Sequence, residues 1–215
     1  MKKIILGVVV LIVIIAAAYL LVISPDQTGQ VTGTGNTPVN TDKIPIDEIK
    51  NYKGSDDAPV IIEEYSEFAC PYCARFAKET LPQIQSQYID TGKVKLIFKD
   101  YIVHDSAKKP AEATWCAGEQ GKFFEMHDKL FANFGASSDA DLKKYADEIG
   151  LNREVFDECL SSGVMTLKVN ENMEEGRSKG VSGTPIFFIN GEELRGAKPF
   201  VQFQAAIEKA LAETE

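Results

Sequence analysis

Residues 60–81 read VIIEEYSEFACPYCARFAKETL, and the order of residue types in this stretch decides the fold. The first six residues are mostly β-branched or aromatic, which is typical of a strand. The residues after Cys73 have the composition of a helix. Pro71 falls at the first helical position, where its missing N–H group costs nothing. The stretch therefore predicts a strand followed closely by a helix, with two cysteines at the junction.

Cys70 and Cys73 form a CxxC pair at the start of the predicted helix. Unpaired backbone N–H groups and the helix dipole favour an anion at this end, so they stabilise the thiolate of Cys70. The thiolate is the form of cysteine that attacks disulfides and binds metal ions. The pair is therefore predicted to be a reactive dithiol. Its position alone does not decide between disulfide exchange and metal binding.

The first 23 residues are predicted to anchor the chain in a membrane. Residues 4–23 carry no charge and follow Lys2 and Lys3. A helix needs about 20 apolar residues to cross the hydrocarbon core. We predict an uncleaved single-pass anchor at 1–23, and the alternative is a signal peptide removed after Ala18. The two lysines predict a cytoplasmic N-terminus and an extracytoplasmic remainder.

Composition divides the rest of the chain into two parts. Residues 24–45 are rich in Thr, Gly, Asn, Gln and Pro, which predicts a flexible tether. Residues 46–215 have the length of one domain with a full core. The formal net charge of −9 argues against a nucleic-acid partner. Outside the cytoplasm, the four cysteines can persist as disulfides.

The pattern within residues 46–215 predicts a mixed α/β domain. Two strands joined by a helix imply a parallel βαβ unit, and Asn190-Gly191 is a strong signal for a two-residue hairpin turn. The predicted elements, in order, are a strand at 60–65, a helix at about 70–88, a strand at 94–100, a helical region at about 106–178, a hairpin at 186–195 and a helix at about 199–213.

A second informative segment, VSGTPIFF at 181–188, precedes the hairpin. Spacing alone does not predict a cis Pro185, since only about 5–6% of X–Pro bonds in folded proteins are cis. CPYC at a strand–helix junction, a helical insertion and Gly-Thr-Pro before a hairpin together resemble the thioredoxin superfamily, specifically its membrane-anchored, DsbA-like thiol-disulfide oxidoreductases. The resemblance covers roughly 48–213. It implies a thioredoxin-like fold with a helical insertion between the βαβ unit and the C-terminal β-hairpin and helix.

The resemblance also implies roles for individual residues. Cys70 would attack a disulfide or be attacked within one, and Cys73 would resolve the mixed disulfide. Glu64, six positions before Cys70, would exchange a proton with Cys73. The alternative for Glu64 is an ordinary half-exposed residue near a strand end. Pro185 would be cis, the Thr184 backbone would pair with an extended peptide, and the substrate-binding residues would be Pro71, Tyr72, Thr184 and Pro185.

Two further features qualify the resemblance. Related oxidoreductases carry a second, non-catalytic disulfide in the insertion, which implies a structural bond between Cys116 and Cys159. The alternative is two small buried thiols. Tyr72 is a departure, because DsbA itself has histidine at this position. Tyr72 cannot place a positive charge beside the Cys70 thiolate, so the motif does not predict a strongly oxidising dithiol.

The resemblance implies cysteine-containing extracytoplasmic polypeptides and a membrane redox protein as partners, and no cofactor. Two rival functions remain open. One is a thioredoxin-fold carrier of copper or zinc for assembly of a membrane oxidase, and the other is a redox-inert binding module. A carrier would use a histidine as third ligand. His104 and His127 do not lie in a matching motif, so we predict no metal site.

Overall fold

The apolar run before the cysteines forms the central strand of a mixed sheet in the computed structural model, which describes residues 43–214. Within these residues the strands, numbered in chain order, are β1 (Tyr52–Lys53), β2 (Val60–Ser66), β3 (Val94–Asp100), β4 (Ile186–Ile189) and β5 (Glu192–Arg195). Their order across the sheet is β1-β3-β2-β4-β5. Strand β2 is parallel to β3 and antiparallel to β4. The predicted α/β class is therefore confirmed.

Alternation along β2 turns four residues onto one face of the sheet. Val60 and Ile62 are apolar and Glu64 and Ser66 are polar, yet all four are fully buried. In the parallel register Ser66 lies beside Asp100 of β3, which is also fully buried. The polar residues of both strands thus collect at their C-terminal ends, next to the start of the following helix.

The helical segment after the cysteines is not one regular helix. It consists of α1 (Pro71–Arg75) and α2 (Leu81–Ile84), each followed by a π-helical turn. Pro82 lies in the first turn of α2, directly after the first of these turns. Proline cannot donate to the helical ladder, and a π turn is one way in which a helix accommodates such an interruption.

The predicted helical insertion is confirmed as a series of helices with local sequence signals at their ends. Ser138 caps α5 through a capping box with Asp141, and Asn152 caps α6 by accepting from the Val155 N–H group. The helices after β3 are α3 (Lys108–Gly118), α4 (Phe123–Ala132), α5 (Asp139–Glu148), α6 (Arg153–Ser162), α7 (Thr166–Ser178) and, after the hairpin, α8 (Phe200–Ala212).

The two larger apolar clusters hold most of these elements together. The insertion packs around Phe98, Trp115 and Phe156, and this cluster includes both cysteines of the CxxC pair. The other cluster joins the sheet to α2 and α8 through residues such as Ile84 and Phe203. The dithiol therefore lies where the helical insertion meets the sheet.

A disulfide joins Cys116 of α3 to Cys159 of α6, with the Cα atoms 5.7 Å apart. It spans a sequence separation of 43 residues, and closing a loop of this size stabilises a fold by about 4 kcal/mol in the chain-entropy model. We expect the double variant Cys116→Ala, Cys159→Ala to lose about that much unfolding free energy in a denaturant titration. An unchanged denaturation midpoint would contradict a stabilising role.

The predicted anchor at 1–23 lies outside the described residues, as does most of the predicted tether at 24–45. Within residues 43–214, no helix has the length and apolar character needed to cross a membrane. At the end of the predicted tether, the Ile44 N–H group donates to the Glu119 carbonyl at 2.8 Å.

Candidate active site

Cys70 is the residue that immediately precedes α1. Its backbone is extended, and Pro71 follows at the first helical position, as predicted. Cys70 is 4% exposed and Cys73 is fully buried, and both are free thiols. Only Cys70 therefore offers its sulfur to a second protein.

The two thiols have opposite pKa shifts. A hydrogen bond from Cys73 lowers the pKa of Cys70 to about 5, with help from the Thr184 side chain and the backbone N–H groups of Cys73 and Tyr72, against the effect of burial. Burial raises the pKa of Cys73, and the neighbouring Cys70 sulfur raises it further. At neutral pH Cys70 is thus the thiolate, and Cys73 keeps its proton.

The loop before β4 faces this sulfur. The Thr184–Pro185 peptide bond is cis, and the Thr184 carbonyl oxygen lies 3.5 Å from the Cys70 Sγ atom. Thr184, which is far from Cys70 and Cys73 in the chain, is therefore brought against the dithiol.

Pro71 and Tyr72 lie on the surface beside Cys70. The Tyr72 side chain is 57% exposed, with the Arg75 guanidinium 5.2 Å from its ring centroid. A cleft of about 510 Å³ runs next to Pro71, and Arg75 and Phe134 are among its lining residues. Phe134 is 43% exposed. This surface offers an aromatic and cationic contact on one side of the thiolate.

Glu64 is fully buried, rather than half-exposed. Neither of its carboxyl oxygens has a hydrogen-bond partner among the described residues. Burial raises the pKa of Glu64 to about 8, because an isolated carboxylate is costly away from water. Glu64 can therefore hold a proton at neutral pH and release it to a stronger base.

Ser66 is buried close to both Glu64 and the inner cysteine, and the sequence analysis did not single it out. Its hydroxyl interacts with both groups and acts to lower the pKa of Glu64 and of Cys73. Neither interaction meets the geometry of a full hydrogen bond. Strand alternation was the available signal, since positions 64 and 66 share a face. The hydroxyl is therefore the polar group that lies near both the carboxyl and the inner sulfur.

Asp100 of β3 is a second buried carboxyl, and it lies beside Ser66 in the sheet register. Its Oδ2 atom accepts from the Trp115 indole at 2.7 Å and from the Asn172 amide at 3.2 Å. Burial raises its pKa to about 6. These contacts connect β3 to two helices of the insertion beside the dithiol.

The two histidines have separate environments. His104 pairs through Nδ1 with the buried Glu67 carboxylate. His127 is 1% exposed, packs against aromatic rings that include Phe98 and Phe131, and pairs with Asp128 at 2.8 Å. Burial lowers the pKa of His127. Within residues 43–214, no group of three or more His, Cys, Asp or Glu side chains is arranged to hold a metal ion.

This chain is similar to a family model and to several known proteins. A family model described as Thioredoxin matches residues 48–209. Disulfide bond formation protein D of Bacillus subtilis is 26% identical over 74% of this chain and 75% of its own length. The Na(+)/H(+) antiporter NhaA 1 of Salinispora arenicola is 33% identical over 80% of this chain but only 26% of its own length. The chain thus spans about a quarter of such antiporters.

Solved structures give the same fold. The oxidised form of BdbD from Bacillus subtilis superposes with a TM-score of 0.70 at 23% identity, over 80% of this chain and 97% of that one. Wolbachia pipientis α-DsbA1 superposes with a TM-score of 0.68 at 24% identity, over 76% of this chain and 92% of that one.

Proposed function

The chain belongs to the thioredoxin family, among its DsbA-like members, and we propose that it exchanges disulfide bonds with cysteine-containing polypeptides outside the cytoplasm. One observation carries the proposal. The low-pKa thiol of Cys70 sits at a helix N-terminus against the Thr184 carbonyl, while its partner Cys73 is fully buried and keeps its proton. This arrangement separates an attacking sulfur from a resolving sulfur.

Oxidation of a substrate begins with Cys70 and Cys73 joined as a disulfide. A substrate thiolate attacks the Cys70 sulfur, which is the one within reach. The bond between the two cysteines breaks, and its electron pair goes to Cys73. Glu64 gives its proton to the Cys73 thiolate by way of Ser66 and regains one from solvent. The product is a mixed disulfide between Cys70 and the substrate.

A second substrate thiolate then attacks the substrate sulfur of the mixed disulfide. Cys70 leaves as a thiolate, which its low pKa favours. The substrate has lost two electrons and formed a disulfide, and the Cys70–Cys73 pair has gained them. One of the two substrate protons ends on Cys73, and the other ends in solvent. The same steps in reverse reduce a substrate disulfide.

The loop containing Thr184 and Pro185 would hold the substrate as an extended strand through the Thr184 backbone. Pro71 and Tyr72 would contact it from the other side of Cys70. Backbone pairing of this kind tolerates many sequences, so the substrates would be a class of polypeptides rather than one protein.

The charge-free run at 4–23 supports a single-pass anchor at 1–23 with its N-terminus in the cytoplasm. A tether at 24–45 would give the domain a reach on the order of 25 Å by the random-coil relation. The domain would then lie on the extracytoplasmic side and exchange electrons with a membrane redox protein through the same dithiol.

One fractionation experiment tests both parts of this proposal. We expect the full chain to stay in the membrane pellet after an alkaline carbonate wash, and that pellet to oxidise a dithiol peptide or reduce insulin. The matched control is the Cys70→Ala, Cys73→Ala double variant, which should be inactive. Activity confined to the soluble fraction would contradict the anchor, and a wild-type protein without activity in either fraction would contradict disulfide exchange.

A further inference from the structure

The loop that follows β3 is fastened to the segment just before Cys70. Its N–H groups at Val103 and His104 donate to the Glu67 Oε2 atom at 2.6 and 3.0 Å. Glu67 is fully buried, and its carbonyl accepts from the Cys70 N–H group at 3.4 Å. The three contacts hold the loop against the start of the CxxC segment.

His104, in this loop, places its imidazole on the Glu67 carboxylate, three residues before Cys70. Its Nδ1 atom pairs with the Glu67 Oε1 atom, and 56% of its side chain is exposed. The hydrogen bond to Glu67 raises the pKa of His104, with smaller contributions from the Glu67 charge and the Cys70 charge. The Glu67 side chain holds the ring, and the Glu67 carbonyl accepts from Cys70, so the ring lies beside the start of the CxxC segment, and the raised pKa favours its cationic form.

Other charged groups around this loop are paired or belong to a separate cleft. Asp105 and Lys108 pair with each other at 2.8 Å. Arg177 of α7 and Glu112 of α3 line a cleft that Val103 also lines. Glu67 is the carboxylate directly against the imidazole, and without His104 its buried charge would stand unpaired three residues from Cys70.

We propose that His104, held on the Glu67 carboxylate, is the cation that stabilises the Cys70 thiolate and makes this dithiol more oxidising than its CPYC motif implies. The inference rests on the proposed function, because it concerns the direction of the same exchange. Tyr72 stands where DsbA itself has a histidine, and here the positive charge comes from a different segment of the chain.

The sign of the effect follows from which redox state contains the thiolate. The dithiol form holds a Cys70 thiolate beside the imidazolium, whereas the disulfide form has no charge at Cys70. A cation therefore stabilises the reduced form, and a stabilised reduced form makes the pair a stronger oxidant. A partly exposed ion pair typically changes such an equilibrium by about threefold.

The test is the redox equilibrium of His104→Gln with glutathione at about pH 6 and about pH 9, on either side of the ordinary histidine pKa. At the lower pH we expect the equilibrium constant for oxidation of the dithiol to rise about threefold, equal to a potential about 14 mV more negative. At the higher pH, where less of His104 is cationic in the wild type, we expect a smaller difference. His104→Lys should behave like the wild type at the lower pH and be more oxidising than it at the higher pH. Lys108→Gln, which removes a charge paired with Asp105, is the matched control and should change neither value.

Two results would overturn the inference. One is an unchanged equilibrium constant for His104→Gln at about pH 6. The other is an equal change at both pH values, because a merely structural role would not follow the protonation of the ring. A parallel thiolate titration in the reduced proteins, in which His104→Gln should move the Cys70 transition to higher pH, reads the charge effect without any exchange reaction. A wild-type dithiol that does not equilibrate with glutathione at all would instead contradict the proposed function.

Discussion

Replacing Cys73 with serine is expected to trap Cys70 in mixed disulfides with substrate proteins, whereas replacing Cys70 with serine is expected to trap none. The reason is the division of roles between an accessible thiolate and a buried, protonated thiol. Without Cys73 the mixed disulfide has no internal thiol to resolve it. Without Cys70 the remaining sulfur is out of reach. Both variants should lose turnover by on the order of 10³-fold or more, as expected for loss of a covalent catalytic group.

The measurement is non-reducing electrophoresis and mass spectrometry of complexes captured in cells that express each full-length variant. Cys73→Ala serves as the matched control and should trap the same complexes as Cys73→Ser, since neither side chain can attack a disulfide. Complexes that accumulate with Cys70→Ser but not with Cys73→Ser would show that the inner cysteine is the attacking sulfur and would refute the mechanism.

Glu64→Gln is expected to stabilise the fold and slow the exchange reaction. The pKa of Glu64 is raised to about 8 from 4.5 by burial, and a difference of this size corresponds to about 4–5 kcal/mol. Because the folded-state pKa lies above that of the unfolded chain, this cost is absent below about pH 4.5 and complete above about pH 8. The variant should therefore exceed the wild type in unfolding free energy by a few kcal/mol near pH 8 and match it near pH 4.

The same substitution removes the group that supplies a proton to Cys73, so exchange should slow by about 10²-fold at neutral pH. Glu63→Gln is the matched control. Glu63 is the adjacent carboxylate on the other face of β2, where it pairs with Lys179 at 2.7 Å near the surface. The Glu63→Gln variant should change the unfolding free energy by less than about 1 kcal/mol and leave the rate of disulfide exchange intact. Equal stability of Glu64→Gln and the wild type at pH 8, or unchanged exchange, would contradict the proton-relay role.

The elements that carry local signals were predictable from the sequence. The strand before the cysteines, the helix start at Pro71 and the hairpin turn at Asn190-Gly191 each depend on neighbouring residues, and each is present. Strand β1 was missed because it has only two residues. Its pairing of Tyr52 with Ile97 depends on contact with β3, which follows much later in the chain. The π turns were missed because amino-acid composition does not distinguish a π turn from an α-helix.

The candidate site divides in the same way. Cys70 and Thr184 belong to motifs that the sequence displays, so their approach could be expected from the resemblance. Ser66 belongs to no motif. It matters because it is buried close to Glu64 and Cys73, the two groups that exchange a proton in the proposed mechanism. The contact of Glu67 with His104 depends on the path of the loop after β3. In the sequence Glu67 is indistinguishable from an exposed acid, whereas the structure buries it completely.

Thiolate absorbance of the reduced wild-type protein, followed against pH with the oxidised protein as the blank, tests the central claim most directly. The account predicts one thiolate that forms near pH 5, which belongs to Cys70, and a second thiol that remains protonated beyond the ordinary cysteine value of about 8.5. Alkylation of the protein at about pH 6.5, well above the Cys70 transition and below that ordinary value, should label Cys70 alone. Two transitions near the ordinary value, or labelling of Cys73 before Cys70, would contradict the claim that this fold separates an attacking sulfur from a resolving one.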